Sequence, residues 1–248
     1  MDEKSYIQIL EEKNKALAQK LEVAKDWMKK EVKERKIEIE NDSFEDLAIH
    51  IQKKINTFFS EILLINLNEE FIDNIISSEI SFYQMQKDIH IDGMIILLGY
   101  QKNLDFLIEE SITKEFRKFA IKQGLNTLEE ENPLEKSLFL VVEKGYSLSI
   151  GRLFGILKEL KEKKYFSPYV FCFKKFLKKH SSLGEILQNK DFFQKLEILI
   201  KKEIFGEKRH KGKIELNDVI EARYTLIGNL EEKDCIIYTL LAYQNINF

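Results

Sequence analysis

Apolar residues recur at steps of three and four along most of the chain, the period of helices that each bury one face. Residues 4–36 hold no glycine or proline and predict one long helix. Within it Ile7, Asn14, Leu21 and Met28 repeat every seven positions, and Leu10, Leu17 and Ala24 fill the interleaved site. This is an a/d seam of about three and a half heptads, in which a lone polar Asn14 would specify register and pairing. The segment is expected to act as a coiled coil joining copies of the chain, or as an arm docked on its own domain.

Asn41-Asp42-Ser43 breaks the pattern, and Phe44, Leu47, Ile51, Ile55, Phe58 and Ile62 begin a second helix. Asn68 should cap the next, whose apolar face runs through Phe71/Ile72, Ile75/Ile76, Ile80 and Tyr83. A third predicted helix carries Leu97, Leu104, Ile108, Ile112, Phe116 and Phe119, and Gly124 suits its end. Leu138–Val142 fits a strand or a buried helix equally well. Further helices are predicted around Leu153–Leu160, from Pro168 to about His180, over Leu183–Leu187, and over Phe192–Ile204 behind an Asp191 cap. Asn217 or Asp218 should cap another that closes at Gly228, and Glu231–Tyr243 completes the series.

Composition agrees with this reading. Two prolines and ten glycines in 248 residues are few breakers, and 44% hydrophobic content supports a large core. The expected fold is an all-α, multi-helix bundle over residues 41–248, with the coiled-coil or arm helix at 1–40. The longest near-apolar run, Gly93–Tyr100, is far short of the roughly 20 residues of a membrane helix. Cys172 and Cys235 sit among apolar neighbours, the setting of buried free thiols. With no signal-peptide pattern at MDEKSYIQIL, a cytoplasmic protein without membrane partners is expected.

Charge changes the picture more than composition does. The net value is −3, yet Glu38–Glu79 holds ten acids against two lysines, whereas Lys158–Lys179 holds eight lysines against Glu159 and Glu162. Lys201–Lys213 adds six cations against Glu203 and Glu207. Such asymmetry can create a basic face for a polyanion on a near-neutral molecule, and separate solvated helix faces are the competing reading. The candidate contacts are Lys163, Lys164, Lys174, Lys175, Lys178 and Lys179 in one segment, and Lys202, Lys208, Lys211 and Lys213 in the other. The first interleaves its lysines with Tyr165, Phe166, Tyr169, Phe171, Phe173 and Phe176, as in surfaces that attract phosphates and stack bases. Core packing is the competing use of those rings.

Scattered histidines and two distant cysteines give no metal-ligand spacing, and no HExxH, Walker or dinucleotide motif occurs, so neither metal nor cofactor is expected. The chemistry-bearing stretch is Gly206–Asn229, where Arg209 and His210 share a basic turn ahead of a predicted helix. A histidine beside fixed cations can move a proton on and off a ribose hydroxyl, and the cations can meet charge at phosphorus.

The basic loop followed by HKGKIELNDVIEARYTLIG, with Tyr83–Phe119 as an upstream helix pair, resembles the HEPN-type all-α domains of prokaryotic antiviral, abortive-infection and toxin–antitoxin proteins. The likeness covers roughly residues 70–243. It implies a dimeric effector or accessory protein that binds RNA and, in active members, cleaves it without metal. Those members place an arginine four to six residues ahead of the histidine. Here His210 takes the histidine place, but Glu203, Ile204 and Phe205 occupy the arginine place, and Arg209 is adjacent instead. Binding with cleavage and binding alone both remain open. The expected partners are further copies of the chain, RNA, and another protein of the same system. A non-enzymatic helical adaptor working through the N-terminal helix is the alternative.

Overall fold

A computed structural model describes residues 44–64, 67–88, 90–125, 132–201 and 213–246. The heptad residues Ile7, Leu10, Asn14, Leu17, Leu21, Ala24 and Met28 lie outside them. The chain divides into two compact units, Met1–His50 and Ile51–Phe248.

The described residues are all-α. In order the helices are α1 (Phe44–Leu64), α2 (Glu69–Lys87), α3 (Met94–Ile108), α4 (Lys114–Ile121), α5 (Pro133–Lys144), α6 (Ile150–Glu162), α7 (Pro168–Lys179), α8 (Ser181–Gln188), α9 (Lys190–Lys201), α10 (Leu216–Ile227) and α11 (Ile236–Ile246). Among these residues there is no strand, and no helix is long and apolar enough to cross a membrane. Leu138–Val142 is therefore helical, lying inside α5 behind the Asn132 cap and Pro133.

The spine is α3 and α4, joined by a π-helical turn, Glu109–Thr113, in which the Lys114 N–H reaches back to the Glu109 carbonyl. The extra residue in that turn buries Ser111, Ile112 and Thr113 in succession. Buried contact thus broadens where the two ends of the spine meet different neighbours. The first half packs on α2, α10 and α11, the second on α5 and α7. The approach of α2 to α3 is close because Gly99 has no side chain; a Cβ there would lie 2.8 Å from the Asn74 carbonyl oxygen. That approach lets Ser78 Oγ donate to the Ile96 carbonyl at 2.9 Å and Asn103 Nδ2 to the Phe71 carbonyl at 2.8 Å. Gly155 plays the same part between α6 and α5, facing Leu134.

Local signals hold at most helix ends. Asn68 Oδ1 accepts the Phe71 N–H, and Gly124, Gly145 and Gly228 take left-handed φ at three C-termini. Four expectations change. The last helix starts at Ile236 and not at Glu231. Ser60, with φ 62° and ψ 157°, interrupts the helical phase of α1, so Leu63 turns inward and Ile62 is 75% exposed. Asn189, not Asp191, caps α9, its Oδ1 accepting from the Asp191 and Phe192 N–H groups. Helix α10 begins at Leu216, a turn earlier than an Asp218 cap allows, because Ile214 is anchored: its N–H donates to Asp92 and its carbonyl accepts from Gly93.

Candidate nucleic-acid interface

The turn between α6 and α7 is built by two buried carboxylates. Pro168 opens α7, where its missing N–H removes no helical bond. Ser167, at the capping position, does not cap with its own side chain. Instead Glu135, wholly buried on α5, accepts from the Ser167 hydroxyl at 2.5 Å and from the Tyr169 and Val170 N–H groups at 3.0 and 3.1 Å. An anion at the positive end of a helix is favourable, and here backbone donors take the place of a cation. At the other end of the turn, Glu159 pairs with Lys163 Nζ at 3.0 Å. Asn132 caps α5 with its oxygen, while its nitrogen lies 3.4 Å from both Glu159 and Ser167. Residues 163–167 are therefore held at both ends. Their middle presents exposed Lys164 and Tyr165, the latter 90% exposed.

Helix α7 sorts the aromatic residues that sequence could not. Tyr169, Phe173 and Phe176 are buried, and Phe173 and Phe176 meet the Phe116 ring edge-on with centroids at 5.1 and 5.7 Å. Phe171 points away and is 45% exposed. Positions 171, 174, 175 and 178 fall on one side of a helix. Lys175 Nζ lies 4.7 Å from the Phe171 ring centre, and Lys174 Nζ lies 4.2 Å from that of half-buried Phe166. Lys179 leans over Phe119 of α4 at 5.5 Å.

Lys158 and Lys163 have carboxylate partners, Glu162 at 3.9 Å and Glu159 at 3.0 Å. Among the described residues no carboxylate pairs with Lys164, Lys174, Lys175, Lys178 or Lys179. The result is a positive, ring-bearing surface with its own charges uncompensated. Such a surface can attract phosphates and offer flat faces to bases.

Of the second basic segment, Lys213 is exposed ahead of α10, which packs chiefly on α3 and α11. Lys202, Lys208, Arg209, His210 and Lys211 lie outside the described residues. His180, at the end of α7, lies against Phe176 with the rings tilted by 45° and centroids 4.7 Å apart. Among the described residues no group of three or more His, Cys, Asp or Glu could hold a metal ion.

The other polar cluster is closed. Arg223 on α10 donates through Nε and Nη2 to the two oxygens of Glu79 on α2 at 2.7 and 2.6 Å, and through Nη1 to Asn229 Oδ1 at 2.5 Å. Tyr100 on α3 donates its hydroxyl to the same Glu79, and the guanidinium lies 4.7 Å from the Phe82 ring centre. Burial works against the charge on Arg223, but Glu79 outweighs it and holds the guanidinium protonated. Burial, then Glu79, pushes the Tyr100 hydroxyl well above its ordinary range. Every group is used internally, so the cluster binds helices together and offers nothing to a ligand.

Two residues that matter here escaped the sequence pattern. Glu135 looks like the third-position partner of a capping box begun by Asn132. It serves a different helix instead. Arg223 reads as one more surface cation on an amphipathic helix, and only the fold brings Glu79 to it. No family model matches the chain, and neither a curated protein nor a solved structure does.

Proposed function

We propose that this all-α protein binds RNA through the α6–α7 turn and the outward face of α7, as a HEPN-like accessory or effector of a prokaryotic antiviral defence system. One observation carries the binding: the turn and helix that expose Tyr165 and Phe171 also carry Lys164, Lys174, Lys175, Lys178 and Lys179, none paired with a carboxylate among the described residues. Among the described residues rings meet three of those charges and no carboxylate meets any, and a polyphosphate would neutralise them with release of its counterions. The family part of the proposal draws on the patterning of residues 70–243. The adaptor alternative draws on the heptads of residues 7–28.

Binding of a labelled oligoribonucleotide measured against salt tests the reading. Affinity should fall steeply, with a logarithmic slope of about −0.7 per phosphate neutralised on a single strand. A flat response contradicts it. Metal-independent cleavage would use His210 as acid and base, with Arg209 against phosphate. RNA incubated in EDTA with the protein and with His210→Ala tests that role, and equal cleavage by the variant removes it.

A further inference from the structure

Resting on the RNA-binding reading, we propose that the bound strand is unpaired, with bases stacked on Tyr165 and Phe171 and phosphates met by Lys164, Lys175 and Lys178. Three observations favour this. The two rings are the most outward aromatics of a segment in which Tyr169, Phe173 and Phe176 fill the core and Phe166 is half-buried against Lys174. Rings exposed beside lysines suit bases that are free to leave their own stack. Tyr165 also stands on a turn fixed at both ends by Glu159 and Glu135, so little order is lost when a base settles on it.

The third observation concerns extent. From Phe171 to Lys178 the stripe spans about 10 Å at a rise of 1.5 Å per residue. Shape-reading of duplex RNA takes about 16 base pairs, with contacts spread over two grooves. A duplex would also keep its bases stacked on one another and leave Tyr165 and Phe171 facing phosphate and water. The stripe matches a few nucleotides of single strand. Lys175, already against the Phe171 ring, would remain on one side of it while a base takes the other.

Fluorescence anisotropy with one labelled oligoribonucleotide, alone and annealed to its complement, tests this on the full chain. The single strand should bind at least about tenfold tighter than the duplex. Tyr165→Ala combined with Phe171→Ala should weaken single-strand binding by about thirtyfold or more and leave the weak duplex binding unchanged. Both rings are outside the core, and an unchanged thermal transition confirms that the variant is folded. In a second variant, Tyr165→Trp, the introduced indole should lose fluorescence on adding the single strand and not the duplex.

Equal or tighter duplex binding overturns the inference, as does an unaltered affinity of the double alanine variant. Lysine variants that still weaken binding in that case would leave the RNA-binding reading standing. Absence of binding to either form overturns both and returns the patch to a protein partner.

Discussion

Glu79 and Glu135 are both buried acids, and the molecule satisfies them in opposite ways. Glu79 meets a guanidinium and a phenol from two other helices, deep among α2, α3 and α10. Glu135 meets a hydroxyl and two backbone N–H groups at the start of α7. The first arrangement consumes its only cation and joins helices. The second needs no cation, so the lysines of the neighbouring turn and helix stay on the surface. A buried acid supplied by backbone donors therefore organises a basic face without neutralising it.

Breaking the ion pair should have the largest effect on stability. Arg223→Met leaves Glu79 buried without its charge partner and should cost about 3–5 kcal/mol by denaturant unfolding. Glu135→Gln turns an amide N–H₂ toward donors and should cost about 1–3 kcal/mol. Because it loosens the turn under Tyr165, it should also weaken RNA binding. An Arg223→Met protein kept folded at low temperature should bind RNA normally. Loss of binding in both variants would erase the distinction between the two acids.

Alkaline titration sharpens the same contrast. The Tyr100 hydroxyl, raised by burial and by Glu79, must lose its proton as pH climbs. A raised folded-state value means that its contribution is complete below the ordinary tyrosine range and disappears as pH rises through the folded value. Burial pushes the Cys235 thiol up to about 12, which adds a loss of the same sign. Tyr100→Phe removes one hydrogen bond, for about 1 kcal/mol at neutral pH. It should also flatten the fall in unfolding free energy above pH 10, and an unchanged slope would count against the raised hydroxyl. The smallest stability effect belongs to the surface: Lys175→Gln with Lys178→Gln should change stability by less than about 0.5 kcal/mol.

Much of the fold was legible because each helix carries its own period and its own stops. Asn68, Asn132, Ser149 and Gly228 act as their residue types predict. Two of the failures share a cause: a distant contact outweighs a local signal. Ile214 sets the start of α10 through Asp92, 122 positions away, and Glu135 passes over its own helix end to serve α7. The site was legible by halves. Its lysines were visible as a charge run, but nothing in the spacing said that Phe171 turns outward while Phe173 turns in. That division depends on where α4 and α5 press on α7.

The central claim is that the uncompensated lysines of the α6–α7 turn and α7 hold RNA, and salt-dependent binding of one single-stranded oligoribonucleotide tests it most directly. Replacing Lys164, Lys175 and Lys178 together by glutamine should reduce the affinity at low salt and make the logarithmic slope shallower by about 2, near 0.7 for each lost contact. The thermal transition should not move. An affinity and a slope equal to those of the unaltered protein would contradict the claim.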